Sequence, residues 1–313
     1  MFCISLDYEL AWGLDRNYID NGYIKNLKNA KYAANEIFET LNRYNVKATW
    51  GCVGLLYTQD HKAQLKNISN FNYSNHLLSQ KNIIEIIDQY NEDIFYGGDL
   101  LSSLKMHPNH EIASHSFSHL YHLEDGINKN DIQRDIELFS SYCDESVISM
   151  IFPRNQIDED FLKIYKDFGY EAYRGCYPHW AYISGAGKDN YIKRLFRLLD
   201  HYIPITSHSV ALNSISNTHL KNIPGTCFLK PITNFNSLST KIRLKNIQVA
   251  INKAAASNNL FHLWWHPHNF GSNLGDNILF LTKVLEYFLE AKETYNMKSY
   301  TIGELASKLN QSP

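Results

Sequence analysis

The 313-residue sequence predicts an α/β fold whose strands form a sheet or a barrel. Short apolar segments typical of buried strands alternate with amphipathic segments typical of helices from the start of the chain. An apolar content of 44%, with frequent aromatic residues, is enough to fill a large core. Neither an internal repeat nor a linker-like stretch rich in Pro, Ser and Gly interrupts the alternation, so we expect one domain over residues 1–313.

The strands are predicted from short apolar runs, and the helices from apolar residues that recur at three- and four-residue steps. Strands are expected, in chain order, at 2–6, 46–53, 111–113, 147–152 and 260–265. Helices are expected at 24–44, 132–139, 158–168, 242–256, 278–288 and from 301 onward. Asp158 can cap its helix and Gly169 can end it, while Thr301 and Glu304 have the spacing of a capping box.

Two segments have a distinctive composition. The segment from Tyr191 to Leu199 is basic and amphipathic. This pattern can indicate a helix on a membrane surface, but we expect a solvated face with a buried stripe. The Asn-rich stretch from Lys66 to Asn75 is expected to be an insertion loop.

Charge and cysteine usage exclude several classes of function. A formal net charge of −2 and a pI near 6.7, without any Lys/Arg-rich run, argue against a nucleic-acid partner. The five cysteines are scattered and form no CxxC pair, so we expect buried, reduced thiols. Acidic residues directly follow the first strand, which leaves no room for a signal peptide, and no apolar run reaches the roughly 18 residues of a membrane span. We therefore expect a cytoplasmic enzyme with no membrane span.

Ionisable side chains follow three of the predicted strands at the point where each strand ends. They are, in chain order, Asp7 and Glu9, His115 and His119, and His266 and His268. Active sites of barrels and open α/β sheets are built at this edge, because the carboxyl ends of parallel strands meet there. The sequence therefore predicts that these six side chains contribute to one site.

The first two pairs suggest a metal site. His115 and His119 are four residues apart, where one turn of helix would put both imidazoles on one face. Residues 7 and 9 share a face of their strand by alternation, so one of these carboxylates could complete a set of two histidines and one carboxylate. Such a set suits one divalent metal ion, zinc best, although iron, cobalt or nickel could occupy it.

Four segments resemble the ordered motifs of the polysaccharide deacetylase family, the NodB-homology or carbohydrate esterase type. They are Ser5-Leu6-Asp7-Tyr8-Glu9-Leu10, Ser114-His115-Ser116-Phe117-Ser118-His119, Phe152-Pro153-Arg154 and Trp265-His266-Pro267-His268. The resemblance spreads across most of residues 1–271, and the His-Ser-x-x-x-His form is its most specific part. It implies a distorted (β/α) barrel, a divalent metal held by one carboxylate and two histidines, an aspartate general base and a histidine general acid.

The first motif departs from the common family form, which has two adjacent aspartates where this chain has Asp7 followed by Tyr8. We expect Glu9 to bind the metal together with His115 and His119, and Asp7 to act as the base, with the reverse assignment of the two carboxylates open.

The other two motifs supply the remaining expected catalytic residues. The family's equivalent of Arg154 pairs with the catalytic aspartate, so the resemblance implies an ion pair between Arg154 and Asp7. His266 aligns with the family's acid. His268 is a competitor two residues on, which could instead bind substrate.

Residues beside the motifs are candidates for contacting a substrate. Aromatic rings can stack on the apolar faces of sugars, which makes Trp12, Trp50 and Trp265 candidates, although core packing is the alternative for each. Asn155 and His268 complete the expected substrate-binding set.

The resemblance implies a hydrolase that removes an acyl group from the nitrogen of an amino sugar. A cytoplasmic location favours a substrate on a nucleotide or lipid carrier, made for a surface polysaccharide, with acetyl and formyl groups both open. One alternative is hydrolysis of a small non-sugar amide or ureide. Another is a non-catalytic carbohydrate-binding relative, which the missing second aspartate suggests and the complete acid, base and metal set disfavours.

Overall fold

The computed structural model describes residues 1–14, 19–60, 73–74, 80–90, 94–143, 146–186, 190–215 and 218–311. The strands are β1 Phe2–Tyr8, β2 Ala48–Cys52, β3 His110–Ser114, β4 Ser149–Ile151, β5 Ala172–Arg174, β6 Lys221–Asn222, β7 Cys227–Phe228, β8 Phe261–Trp265 and β9 Ser299–Tyr300. The α-helices are α1 Ile24–Lys28, α2 Ala30–Arg43, α3 Gln80–Tyr90, α4 Gly98–Met106, α5 Lys129–Tyr142, α6 Glu159–Asp167, α7 Tyr191–Asp200, α8 Leu238–Ala256, α9 Leu274–Tyr295 and α10 Ile302–Asn310. Short helices of other types cover Ile19–Tyr23, Gly54–Tyr57, Pro153–Asn155, Leu212–Ser214 and Pro267–Phe270.

The strands form one sheet in the order β6-β5-β4-β3-β2-β1-β8-β7, with β9 beside β1. The described strand pairs are parallel, and β1 lies between β2 and β8 with Leu6 opposite both Trp50 and Trp265. Because parallel strands place all their carboxyl ends at one edge, residues that follow different strands meet above this edge. The carboxyl end of β1 is thus the centre of that edge.

One stretch of chain closes the sheet into a barrel. The backbone N–H of Ile223 donates to Tyr173 at the β5 side, at 2.9 Å. Only three residues later, the N–H of Thr226 donates to His262 on β8, also at 2.9 Å. The segment 221–229 therefore joins the two ends of the sheet, and its short strands make the barrel irregular. The prediction of a distorted (β/α) barrel is confirmed.

Alternation along β1 separates two cores. Phe2 stacks on Phe288 of α9, with ring centroids 4.3 Å apart, so its face of the strand packs against the outer helices. Cys3 faces the opposite way, in a cluster with residues of β3, β4, β5 and α10. Strands on different sides of the sheet can share such a cluster only inside the barrel. The first turn of α10, with Ile302 and Leu305, thus fills the interior below the carboxyl edge.

The predicted strands and helices agree with the structure, with local differences. The helix expected over 24–44 is broken at Asn29, whose side chain donates to the carbonyl of Gly271 at 2.8 Å. The strands at 172–174, 221–222 and 227–228 were not predicted, because two or three residues cannot display a periodicity. The expected insertion loop Lys66–Asn75 lies outside the described residues except for positions 73 and 74. One domain over residues 1–313 stays a prediction.

The interpretation of the segment Tyr191–Leu199 was wrong in part. It forms a helix, α7, but the expected buried stripe is missing, because none of its described side chains is fully buried before Asp200. Among the described helices, none is both long enough and apolar enough to cross a lipid bilayer.

The capping box that begins α10 allows a direct test of the fold. The Thr301 hydroxyl accepts from the N–H of Glu304 at 3.2 Å, and the Glu304 carboxylate accepts from the N–H of Thr301 at 3.1 Å. We expect Thr301→Ala to lower the free energy of unfolding by about 1 kcal/mol, whereas Thr301→Ser keeps most of it. Urea denaturation of both variants measures this. Equal losses in the two would show that the hydroxyl is unimportant.

Two histidines in the interior predict the response to acid. Burial lowers the pKa of His122 and of His262 to about 3. In the unfolded chain a histidine titrates near pH 6.5, so between about pH 6.5 and 3 the unfolded state binds protons that the folded state does not. We expect each to remove about 2 kcal/mol of unfolding free energy between pH 7 and pH 5, measured by urea denaturation.

Replacing a buried histidine should reduce the pH dependence of the unfolding free energy, whereas replacing an exposed histidine should not. His122→Gln replaces a titrating ring with a neutral side chain, so its unfolding free energy should change less between the two pH values. His219→Gln, at an exposed position, is the matched control. An unchanged slope in His122→Gln would contradict the assignment.

Candidate active site

Polar side chains from β1, β3, β5 and β8 meet at the carboxyl edge of the barrel. Asp7 belongs to β1 and Glu9 follows it, while His115 follows β3 directly. Arg174 ends β5, and His266 follows β8. The predicted convergence of strand ends is present, with one strand more than the sequence indicated.

Glu9, His115 and His119 form a compact group of possible metal ligands. Among the described residues, these three offer ligand atoms that all lie within 4.8 Å of one another, and all three are buried. Glu9 Oε2 lies 3.2 Å from His115 Nε2 and 2.9 Å from His119 Nε2. Burial opposes ionisation of Glu9, but His266 and the two histidine contacts outweigh it and hold the pKa of Glu9 well below its usual range.

The hydrogen bonds of His115 test whether a cation fits. Its Nδ1 lies 2.7 Å from the carbonyl oxygen of Ile151, and a carbonyl can only accept, so Nδ1 carries the proton. In the neutral ring, the Nε2 lone pair then points at the Glu9 carboxylate, which also offers only lone pairs. Such a contact needs a positive charge between the two atoms, either a second proton on the ring or a cation, and His115, His119 and Glu9 supply the donor types that a divalent metal takes.

The backbone shapes this group in ways that a regular helix would not. Ser116 and His119 have left-handed conformations, with φ of 59° and 58°, so the two histidines lie on a loop rather than on the helical turn expected from their spacing. Gly13 lies against Glu9, where a Cβ atom would come within 2.7 Å of Oε1. A side chain at position 13 would fill the space of the carboxylate.

Asp7 is held by Arg174, which corrects the predicted pairing with Arg154. Both guanidinium Nη atoms donate to the Asp7 carboxylate, with Nη2 at 2.8 Å from Oδ2, and both residues are buried. Burial alone would raise the pKa of Asp7, but Arg174, followed by His266, outweighs it and lowers this pKa. Asp7 is therefore ionised and fixed in orientation.

The surroundings of Arg174 explain its position. Its Nη1 also donates to Ser5 Oγ at 3.2 Å, and its Nη2 to Asn155 Oδ1 at 2.9 Å. The guanidinium carbon lies 4.4 Å from the ring centroid of Trp264. Asn155, expected to contact substrate, instead orients the arginine. A polar residue at the end of a short strand was the signal in the sequence, but β5 was not predicted.

Arg154 lies at the rim of the site. Its guanidinium is 4.3 Å from the ring centroid of Tyr121, and its Nη1 is 3.9 Å from Glu124 Oε1. Its side chain is 36% exposed. Arg154 has a left-handed backbone conformation, with φ of 55°, directly after Pro153. The prediction from the family motif thus selected the wrong arginine.

The two histidines after β8 differ in environment. His266 Nε2 lies 3.4 Å from Asp7 Oδ2 and 3.7 Å from Glu9 Oε1, and its side chain is 25% exposed. His268 is buried, and its Nδ1 lies 3.1 Å from the carbonyl oxygen of Leu10. Burial lowers the pKa of His268 to about 4, so this ring is neutral at neutral pH.

The rings of the three tryptophans expected to stack on a sugar are not accessible to a substrate. Trp50 and Trp265 are completely buried, and Trp12 nearly so, with its Nε1 donating to the carbonyl of Phe95 at 2.9 Å. These three pack in the core. Trp264, which alternation places on the same face of β8 as His266, is half-buried beside the site.

A pocket of about 460 Å³ opens above the carboxylates. Glu9, His119, Arg154, His266 and His268 line it, and the sequence had singled out all five. It is also lined by residues that the sequence did not indicate, namely Gly13, Leu14, Tyr23, Phe228, Lys230, Pro231 and Asn269. They lie on loops, on the short helices Ile19–Tyr23 and Pro267–Phe270, and at or just after the end of the closing segment.

The two arginines predict contrasting effects on stability. Arg174→Gln would leave the Asp7 carboxylate buried without a counter-charge, so we expect the free energy of unfolding to fall by about 3–5 kcal/mol. Arg154→Gln should cost about 1 kcal/mol or less, because its contacts are partly exposed. Urea denaturation of the matched pair measures both. Similar losses would contradict the assignment of Arg174 as the buried partner.

Comparisons with known proteins agree with this fold. The family model described as polysaccharide deacetylase matches residues 19–173. A putative polysaccharide deacetylase from Mycobacterium smegmatis has a similar structure, with a TM-score of 0.56 and 13% identity over 99% of this chain and 89% of that one. No curated protein sequence matches the chain.

Two further structures share the fold. The allantoinase Puue has a TM-score of 0.51 and 11% identity over 98% of this chain and 88% of its own. The 4-alpha-glucanotransferase from Thermococcus litoralis has a TM-score of 0.51 and 13% identity over 98% of this chain and 40% of its own. At such low identity these likenesses concern the fold alone. Over residues 19–173 the chain thus matches the polysaccharide deacetylase family, and its barrel is of the same type.

Proposed function

We propose that this protein is a metal-dependent amidohydrolase that removes the acyl group from the nitrogen of an amino sugar. One observation carries the proposal. The ligand group of Glu9, His115 and His119 lies beside a second carboxylate, Asp7, which Arg174 keeps ionised. His266 faces both carboxylates from the pocket side. A binding module has no need of such a set of acid, base and metal ligands.

Glu9, His115 and His119 would hold one divalent cation, for which zinc is our first choice. When bound, the cation supplies Lewis-acid polarisation of the amide carbonyl and a lower pKa for the attacking water. Nδ1 of His115 remains bonded to Ile151 and thereby orients the ring.

Asp7 is our candidate for the general base. Arg174 occupies one side of the carboxylate, while Oδ2 also lies 3.4 Å from Nε2 of His266, which lines the pocket. The same ion pair keeps the side chain ionised, so a lone pair is available to accept a proton from the water that attacks the amide carbon. Arg174 is then a positioning residue for Asp7.

His266 is our candidate for the general acid, because an amide nitrogen leaves only when it is protonated. Its Nε2 is near both carboxylates, and its side chain reaches the pocket. His268 suits this role less well. Its ring is buried, its Nδ1 proton is committed to Leu10, and its lowered pKa keeps it neutral. The ring of His268 stacks on the ring of His266, with centroids 5.2 Å apart, and so helps to fix the orientation of His266.

The pocket favours a small, anionic substrate. Phe228 lies next to Trp264 and contributes an apolar wall, as sugar rings require. Arg154 and Lys230 place two cationic side chains at its rim. Both features suit an N-acetyl or N-formyl amino sugar that carries phosphate, on a nucleotide or lipid carrier, as a precursor of a surface polysaccharide. The cytoplasm is the location that we propose for such a reaction.

Metal content and turnover of three proteins test the proposal. We expect about one metal ion per chain in the wild type, loss of metal and activity together in His115→Ala, and retention of metal in His266→Gln with turnover lower by about 10²- to 10⁴-fold. Elemental analysis and release of free amine from N-acetyl and N-formyl amino-sugar phosphates measure these outcomes.

Thermal unfolding of each variant shows whether the fold is kept. This control matters most for His115→Ala, because His115 is buried whereas His266 is partly exposed. Metal retained in His115→Ala would disprove the ligand assignment. A metal-loaded wild type that releases no amine from any amino sugar, but hydrolyses small amides or ureides, would replace the proposed substrate class.

A further inference from the structure

Helix α7, Tyr191–Asp200, presents its apolar side chains to solvent. Ile192 is 63% exposed and Leu195 is 43% exposed, and the same holds for the other large apolar residues around it. They are Trp180, Ile183, Tyr191, Leu198, Leu199, Ile203 and Ile205. Together with Ile192 and Leu195 they form what we call the α7 face. A soluble surface carries single exposed apolar residues, whereas a contiguous group of this kind marks an interaction site.

The opposite side of α7 holds the helix rigidly. Lys193 Nζ donates to the carbonyl of Ile183 at 2.8 Å, and Arg197 Nη1 to that of Ala181 at 2.7 Å. Phe196 stacks on His179 with ring centroids 4.8 Å apart. Asp200 accepts from the Tyr182 hydroxyl at 2.6 Å. Positions 193, 196, 197 and 200 lie on one side of a helix, so the exposure of the other side is fixed by packing.

The charges around this face have one sign. Arg194 is exposed, and Arg197 and Lys230 also line a groove beside α7, whereas Lys193 lies on the packed side of the helix. Between residues 191 and 199 the chain has no acidic side chain. Asp200 is buried, where the N–H groups of Ile205 and Thr206 also donate to it. Since the whole chain has a formal net charge of −2, this positive charge is local. Apolar and basic side chains on one helix complement the surface of an anionic bilayer.

The α7 face adjoins the mouth of the candidate active site. A groove of about 530 Å³ runs between α7 and the closing segment, lined on the side away from α7 by Phe228 and by Lys230, which directly follows the segment. The same two residues line the pocket above Glu9. A surface that covered α7 would therefore lie beside the entrance to the site.

We propose that α7 docks the protein on the surface of an anionic lipid bilayer, with the pocket opening next to the lipid headgroups. A second copy of this chain is a poorer occupant. Self-association about a two-fold axis would bring the basic side chains of two α7 helices together, without acidic partners in this segment. Docking would favour a substrate on a lipid carrier over a soluble nucleotide sugar, a consequence that rests on the proposed function.

Vesicle co-sedimentation tests the docking itself. We expect the wild-type protein to bind phosphatidylcholine vesicles that contain phosphatidylglycerol, and to bind pure phosphatidylcholine far less. Ile192→Asn combined with Leu195→Asn should weaken this binding by roughly tenfold or more. Arg194→Gln should weaken it by about fivefold. Leu279→Asn, at an exposed apolar position on α9, is the matched control and should bind like the wild type.

Three results would overturn the proposal. They are no binding of the wild type to the anionic vesicles, equal weakening by Leu279→Asn, and a concentration-dependent dimer that the double variant abolishes. Failure of the proposed function is detected separately, by metal content and amine release of the wild type in the absence of vesicles. Anionic-vesicle binding that persists without amine release would support the docking and contradict only the reaction.

Discussion

Two carboxylates, Asp7 and Glu9, are buried side by side at the end of the central strand, and the mouth of the barrel is organised around them. Burial of an uncompensated charge costs several kcal/mol, so each carboxylate requires a partner from another strand. Asp7 obtains it from Arg174 on β5, and Glu9 from the two histidines that follow β3. The electrostatic requirement of β1 thus links strands that are distant in the sheet.

The negative charges of Asp7 and Glu9 are compensated by different kinds of partner, and this difference suits the two carboxylates to different chemical roles. A guanidinium cannot be displaced or lose its proton, so it leaves Asp7 permanently ionised in one orientation. The two histidines beside Glu9 carry no permanent charge, and with Nδ1 of His115 bonded to a carbonyl they can share Glu9 with a cation. Two acidic residues at the end of one strand can therefore support two different roles.

Much of the site could be predicted from the sequence, because buried strands with polar residues at their ends have a strong pattern. Asp7, Glu9 and His266 follow apolar runs, whereas His115 and His119 follow a brief strand but stand in the His-Ser-x-x-x-His pattern, and the structure brings all five together. Arg174 follows a strand of three residues, too short for its periodicity to be seen. The stacking role of the tryptophans failed for another reason, since position beside a motif says nothing about which face of a strand a ring occupies.

Two features of the fold depend on contacts with distant parts of the chain and could not be predicted from local sequence patterns. The closing segment 221–229 obtains its strand pairing from hydrogen bonds to β5 and β8 rather than from its own residues. The exposed side of α7 has the same amphipathic pattern as a buried one. Which side of α7 faces the solvent is decided by the segment of the same chain that contains His179 and Ile183, because it packs on Phe196 and Lys193.

The closing segment has a consequence for how such a protein diversifies. The ionisable groups of the site come from β1, β3, β5 and β8 and the residues that directly follow them, whereas Phe228 and Lys230 at the pocket wall lie at the end of the segment that closes the barrel and directly after it. Changes of sequence there alter the shape and charge of the entrance without touching the buried carboxylates. Selection can therefore retune substrate preference in this strip of chain while the reaction chemistry stays constant, a division of labour that permits one barrel to serve many substrates.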